Sequence, residues 1–448
     1  MMKTPICDFV KQYAAENNLR LHMPGHKGCA NLGVEPLDIT EVDGADVLYQ
    51  AHGIIAESQQ NATALFDSGK TLYSCEGSSL AIRAMLYLAL LTRSDTSCRP
   101  VVLACRNAHK TFLSAAALLD FDIEWLYPET QGSLMACDVS AARLDAMLCA
   151  MDEKPVAFYV TCPDYLGNTV DIAALAAVCH RHGVLLLCDN AHGAYLKFLP
   201  ATRHPIDLGA DACCDSAHKT LPVLTGGAYL HLAKNAPAVM LENAERALAL
   251  FASTSPSYLI LQSLDAANAY LADGYRDRLA ACIQRVDALK AALCEHGYTL
   301  VGNEPLKLTV AAKPYGYTGE ALSDILAAQH IVCEFADHDY LVCMFTPDIT
   351  DEQIDRLQTV LLSISPRAAV LDPSPAVHPL ERVLTVRQAM FAHSEVVSVD
   401  ACVGRVLADP TVSCPPAVPI AVCGERLDVA AANALRYYGI EQCRVVVE

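Results

Sequence analysis

Between residues 55 and 235, short apolar runs alternate with apolar positions at helical spacing. The runs Val101-Val102-Leu103-Ala104, Val156-Ala157-Phe158-Tyr159-Val160, Val184-Leu185-Leu186-Leu187-Cys188 and Gly227-Ala228-Tyr229-Leu230-His231 predict strands. Continuous apolar runs of this length suit strands buried on both faces. Between two of them, Asp171 opens a helix whose Ile172, Leu175, Ala176 and Cys179 share one face, and Gly183 follows as its stop signal. The alternation predicts an α/β fold with a mostly parallel sheet covered on both sides. Functional residues are then expected at the carboxyl ends of the strands.

Outside that region the pattern changes. Residues 1–35 predict an extended arm with a short helix from Ile6 to Asn17, ending in Leu21-His22-Met23-Pro24-Gly25-His26-Lys27-Gly28. Residues 237–297 are rich in Ala and Leu and predict long helices leaving the large domain. A smaller α/β segment follows, with Lys307-Leu308-Thr309-Val310 and Tyr340-Leu341-Val342-Cys343-Met344 as strands and an amphipathic helix from Asp351 to Ile364. Proline-rich residues 365–375 predict a linker. The expected division is an arm over 1–35, a large domain with its connecting helices over 36–297, a small α/β domain over 298–365, and a C-terminal α+β domain over 375–448.

Composition narrows the setting. A chain of 448 residues accommodates two or three domains. Although 53% of its residues are hydrophobic, no apolar run approaches the roughly 20 residues that span a bilayer. The N-terminus has no apolar signal region, so a cytoplasmic protein with no membrane partner is expected. The formal charge of −19, without a basic stretch, argues against a nucleic-acid partner. An acidic field favours small cationic molecules such as ornithine, lysine or arginine. The twenty cysteines are scattered, and no two stand in a CxxC spacing. The adjacent pair Cys213-Cys214 makes neither an ordinary disulfide nor an evident zinc site. No metal is therefore expected, and most thiols are read as small buried groups.

The candidate chemistry sits in two short segments. Asp189-Asn190-Ala191-His192 ends one predicted strand, and Ser216-Ala217-His218-Lys219 lies between that strand and the next. A lysine with polar neighbours, close after an acid at a strand end, suits pyridoxal 5'-phosphate (PLP) held as a Schiff base on Lys219, with Asp189 facing the pyridine nitrogen. Such an acid keeps the nitrogen protonated, so that the ring accepts electrons. The cofactor's phosphate needs a cradle, and Glu76-Gly77-Ser78-Ser79 precedes a helical pattern from Leu80 to Leu90. Small residues at a helix start expose backbone N–H groups, and the two hydroxyls add donors. His109, just after the strand at 101–104, is placed either to stack on the ring or to serve as an ordinary loop histidine.

These segments resemble the Orn/Lys/Arg decarboxylase family, the bacterial-type PLP enzymes with the aspartate aminotransferase fold. The likeness runs through nearly the whole chain. It also includes Asp38-Ile39-Thr40-Glu41-Val42, Arg106-Asn107-Ala108-His109-Lys110, Thr254-Ser255-Pro256-Ser257-Tyr258, Cys414-Pro415-Pro416-Ala417-Val418-Pro419 and Gly424-Glu425. The resemblance implies a seven-stranded large-domain sheet and a short form that starts directly at the arm. It implies that Lys219 carries the cofactor, Asp189 pairs with the ring nitrogen, His109 stacks on the ring and Ala191 packs on the other face. Gly77, Ser78, Ser79, Ser216 and His218 would hold the phosphate, with His192 beside them. Ser255 would reach the phosphate of a neighbouring subunit in a homodimer or larger homo-oligomer with shared active sites. The chain departs from the family pattern at Glu76, Asn190, Gly226 and Ala417.

The implied reaction is decarboxylation of a cationic amino acid to its amine, in the manner of polyamine biosynthesis. Lys219 or His218 would return the proton to Cα. Glu425, Glu334 and Asp337 are candidates for the acid that meets the distal cation. Two other readings stay open: a different PLP reaction, such as transamination or aldol cleavage, and a catalytically silent regulatory relative. Residues 300–365 hold a single arginine, Arg356, where an aminotransferase would need one to grip the substrate's α-carboxylate.

Overall fold

The computed structural model describes residues 2–447 apart from 30, 96, 130–132, 137 and 411–416. The Cys414-Pro415-Pro416 part of the C-terminal signature lies outside the described residues. The chain divides into two compact units that interleave along the sequence. The first is Met1–Asp95 with Ile172–Arg278, and the second is Thr96–Asp171 with Leu279–Glu448.

The seven strands expected of the large sheet are present. They are β1 (Lys70–Ser74), β2 (Val101–Cys105), β3 (Asp122–Leu126), β4 (Ala157–Thr161), β5 (Leu185–Asp189), β6 (Ala212–Asp215) and β7 (Ala228–Leu232), in the order β1-β7-β6-β5-β4-β2-β3. In the first unit β5 and β6 run parallel, with Asp189 opposite Cys214, while β7 runs antiparallel to both β6 and β1. In the second unit β2 is parallel to β3 and β4. The sheet is therefore α/β and mostly parallel. Apart from the edge strand β3, where Glu124 is exposed, the strand cores are buried, as a continuous apolar run such as Leu186-Leu187-Cys188 requires.

Helices flank these strands in the first unit: α1 (Pro5–Ala15), α2 (Ile54–Phe66), α3 (Gly77–Leu90), α6 (Ile172–Arg181) and the single turn α7 (Ala217–Thr220). The second unit contributes α4 (Lys110–Leu119) and α5 (Ala141–Ala150). Helix α6 buries Ile172, Leu175, Ala176 and Cys179, the face read from the spacing, and Gly183 follows it with φ +69°. The arm helix α1 is fastened at its start, where the N–H groups of Ile6 and Cys7 both donate to Asp265 Oδ2 at 3.0 Å. A carboxylate at a helix N-terminus satisfies two of its unpaired donors and meets the positive end of the dipole.

The second unit carries three further sheets. Strands β8 (Thr299–Val301), β9 (Lys307–Ala311), β10 (Phe335–Ala336) and β11 (Tyr340–Met344) form an antiparallel sheet in the order β10-β11-β9-β8. Two short ribbons pair β12 (Glu381–Arg382) with β14 (Glu425–Arg426), and β13 (Ser394–Ser398) with β15 (Gln442–Val446). A small core of its own, including Val399, Leu407, Leu427, Leu435 and Val445, holds the C-terminal ribbons and the helix Val429–Tyr437 together. No helix among the described residues is long and apolar enough to cross a membrane.

Candidate active site

The two informative segments end adjacent parallel strands. Asp189 is the last residue of β5 rather than the first beyond it, and Ser216 follows directly on β6. Asp189 is almost fully buried. Its Oδ1 accepts from the Ala191 N–H at 3.2 Å and from the Cys214 thiol at 3.5 Å. Burial first, and then the Asp189 charge, push the Cys214 thiol well up, so this neighbour stays a neutral donor.

The turn α7 presents the lysine. Its Lys219 N–H donates to the Ser216 carbonyl at 3.0 Å, and the Lys219 ammonium lies 3.1 Å from His192 Nε2. The neighbouring His218 is held twice to Gly227, through its backbone N–H at 3.1 Å and through Nδ1 at 2.9 Å from the same carbonyl oxygen. A proton on Nδ1 leaves Nε2 as the basic nitrogen. Burial lowers the His218 pKa, outweighing the carbonyl bond.

Helix α3 begins at Gly77, so Ser78 and Ser79 lie inside its first turn rather than ahead of it. Gly77 takes φ +71°, a conformation that a side chain disfavours, and its N–H donates to the Gly226 carbonyl at 2.7 Å. Ser216 donates to the Ser78 hydroxyl at 2.8 Å, which joins the start of α3 to the lysine turn. Glu76 accepts the Ser253 N–H at 2.7 Å, and the Ser253 hydroxyl accepts the Ser255 N–H at 3.1 Å. Ser255 itself is exposed. The first unit thus brings together Gly77, Ser78, Ser79, Ser216, His218, Lys219, His192, Ala191 and Asp189, and ties the loop of Ser255 to Glu76.

Sequence reasoning missed the support beneath this arrangement. Asp215 is fully buried and receives the Asn190 side-chain N–H on Oδ1 at 2.7 Å. Its Oδ2 faces Nε2 of His204 at 3.1 Å and Nε2 of His231 at 3.2 Å. His231 in turn contacts the Thr71 hydroxyl at 2.8 Å. Burial alone would raise the Asp215 carboxyl, but the two imidazoles override it and hold it well below the usual range. By the family resemblance a glutamate is common at position 190; the Asn190 side-chain amide donates to Asp215, where an ionised glutamate could only repel it. The only sequence signal was that Asp215 stands immediately before Ser216.

The remaining expected residues lie in the second unit. His109 caps α4, its Nδ1 accepting the Thr111 N–H at 3.1 Å, which places the ring proton on Nε2. The next residue, Lys110, donates its N–H to the Ala417 carbonyl at 2.9 Å. Glu425 is buried and accepts the Val422 N–H at 2.7 Å, while Glu334 accepts the Tyr165 hydroxyl at 2.9 Å. Each carboxylate thus already accepts one hydrogen bond. Asp337 accepts two backbone N–H groups on one oxygen and lines a cleft. Arg356 is exposed, its guanidinium bonded to the Gln329 carbonyl.

The sheet, with a lysine and a carboxylate at neighbouring strand ends, defines the architecture of the PLP-dependent transferases and decarboxylases. Within it the chain belongs to the Orn/Lys/Arg decarboxylase family. The family's major-domain model matches residues 4–302 and its C-terminal-domain model matches residues 367–443. An uncharacterized Bacillus subtilis protein, YaaO, is 28% identical over 462 residues, covering 97% of this chain and 94% of that one. An arginine decarboxylase of Halalkalibacterium halodurans is 28% identical over 460 residues, covering 94% of this chain and 91% of its own. Among solved structures, the constitutive lysine decarboxylase of E. coli superposes with a TM-score of 0.77 at 17% identity, covering 100% of this chain and 82% of that one.

Proposed function

We propose that the protein is a PLP-dependent decarboxylase that converts a cationic amino acid, arginine, lysine or ornithine, into its amine and CO₂. The observation that carries this reading is the placement of Asp189 and the Ser216–Lys219 turn at the carboxyl ends of adjacent parallel strands. Arginine is the first substrate to test, because the sequence relative from Halalkalibacterium halodurans bears that name.

The residues present fit the cofactor. An amine, a buried carboxylate, two serines in a helix's first turn and a third serine bonded to one of them match an aldehyde, a pyridine nitrogen and a phosphate. When bound, the cofactor supplies an electron sink for the bond that breaks as CO₂ leaves. Asp189 holds the ring nitrogen's proton. Ser78, Ser79, Ser216 and His218, with the Gly77 turn, secure the phosphate. His192 orients the Lys219 amine, which then moves a proton at the substrate's Cα. Buried walls around Asp189 and Ala191 exclude water, which strengthens these charge interactions.

Three further assignments rest on the family resemblance. His109 stacks on the ring, Ala191 packs on the opposite face, and Ser255 reaches the phosphate of a second subunit in a homodimer or larger homo-oligomer. The exposure of Ser255 is compatible with that last role. Arg356, exposed and bonded to a backbone carbonyl, lends no support to an aminotransferase grip on the α-carboxylate. The test of the cofactor assignment is borohydride reduction of the PLP-loaded protein followed by peptide mass spectrometry. A stable pyridoxyl increment on the Lys219 peptide is expected; an unmodified Lys219 peptide, or the increment on another lysine, overturns it.

A further inference from the structure

A cleft of about 210 Å³ in the second unit has the chemistry of an organic-cation site. It is lined by Asp337, Glu320, Phe335, Val418, Tyr437 and Tyr438, among others. Its acids and one unmet hydroxyl point to the same kind of ligand.

Asp337 uses Oδ1 for the N–H groups of Asp339 at 2.8 Å and Tyr340 at 2.7 Å, and among the described residues no cation pairs with it. The basic groups nearby are already committed. Lys313 lies 2.6 Å from Asp339 Oδ1, Arg436 is 2.7 Å from Asp400, and His338 is 3.2 Å from Asp372. Burial first, and the neighbouring Asp339 and Glu320 charges after it, push the Asp337 carboxyl up to about 6. The Tyr438 hydroxyl is buried and, among the described residues, has no hydrogen-bond partner. An unsatisfied buried hydroxyl costs free energy that a bound donor would recover.

The walls suit the same ligand. The Tyr437 and Tyr438 rings meet edge to face, with centroids 5.1 Å apart. Lys313 already sits over the Tyr437 ring, 4.8 Å from its centroid, so this wall accepts a cation in the structure itself. Phe335 and Val418 add apolar surface for an aliphatic chain. The cleft is smaller than the roughly 300–1,000 Å³ of a drug-sized site.

We infer that this cleft binds a small aliphatic molecule ending in an ammonium or guanidinium group, with Asp337 facing the cation and Tyr438 hydrogen-bonding to it. The site stands on residues of the second unit alone; only the choice of probe below rests on the proposed reaction.

The probe is n-butylguanidinium, which has the guanidinium of an arginine-derived amine but no primary amine to react with the cofactor. Isothermal titration of the PLP-loaded full chain at pH 7.5 should show saturable binding, weakened about tenfold or more in Asp337→Asn and several-fold in Tyr438→Phe. n-Pentanol, the neutral control, should not bind measurably. Asp337→Asn keeps the oxygen that accepts the two backbone N–H groups, and an unchanged circular dichroism spectrum would establish that it folds. Equal affinity in wild type and both variants, no binding in the wild type, or equal binding of n-pentanol would each overturn the inference. If the probe binds as described but no amino acid is decarboxylated, the cleft stands and the proposed reaction falls.

Discussion

The Lys219 ammonium stands 3.1 Å from Nε2 of His192, the residue three positions after the Asp189 carboxylate. The acid and the lysine turn therefore communicate through a side chain carried on the same loop as the acid. His192→Ala should leave the fold intact but lower kcat by roughly 10²-fold, the lower end of what a positioned proton-handling group contributes. Single-turnover measurements on the PLP-loaded variant check this. His192→Ala at the wild-type rate would mean that the contact positions nothing.

Asp215 anchors the loop from beneath. Removing the Asp215 carboxylate leaves the buried side chains of Asn190, His204 and His231 without their acceptor, at a cost of about 1–3 kcal/mol for an unsatisfied buried group. Asp215→Ala should lose stability on that scale in urea unfolding. Gly193→Ala should act through the same network, because a Cβ there would collide with the Asn190 amide oxygen and with Leu196. Its loss should be largely non-additive with Asp215→Ala in a double-mutant cycle, whereas simple addition would place the two in separate networks.

The lysine turn, Asp189 and the main strands were legible in the sequence because each left a local mark. β5 is a continuous apolar run ending in an acid, and the buried face of α6 repeats at helical spacing. β6 left almost none, since Ala212-Cys213-Cys214-Asp215 is four residues of small or polar side chains held by its neighbours. β1 is similar, with Lys70 and Thr71 opening a strand whose burial comes from tertiary packing. His204 and His231 carry no periodicity, so their meeting at Asp215 is visible only when the chain folds. Glu425 and Glu334 are candidates in sequence for the acid that meets the distal cation; in the fold Glu425 accepts the Val422 N–H and Glu334 the hydroxyl of the distant Tyr165. Which of the acids lacks a cation depends on distances between residues far apart in the chain.

Glu76 separates two effects at the phosphate cradle. Its carboxylate fixes the Ser253 N–H, a charge-assisted bond worth about 1.5–3 kcal/mol, but it also brings negative charge to the residue before Gly77. Glu76→Gln should keep the bond and retain PLP at least as well as wild type, while Glu76→Ala should release it about tenfold more readily. PLP dissociation constants from absorbance after dialysis distinguish these. Equal retention in all three proteins would remove Glu76 from the cradle.

Asp337 gives a pH-dependent prediction. Its folded pKa, about 6, lies above the ordinary carboxylate value, so the folded state binds the proton more tightly than the unfolded chain. This contribution to stability is present at pH 4 and is lost as the pH rises through about 6. Asp337→Asn should therefore stabilise the unliganded protein at pH 7.5 by on the order of 1 kcal/mol, allowing for the part of the group that faces solvent, and change little at pH 4. Denaturant midpoints at the two pH values check the sign.

The central claim is decarboxylation of a cationic amino acid. The most direct measurement gives the PLP-loaded protein an equimolar mixture of arginine, lysine and ornithine and identifies the products by mass spectrometry, with CO₂ measured alongside. The account predicts an amine, agmatine first among agmatine, cadaverine and putrescine, formed one for one with CO₂ and absent with Lys219→Ala. No amine from any of the three, or an α-keto acid without CO₂, would contradict it.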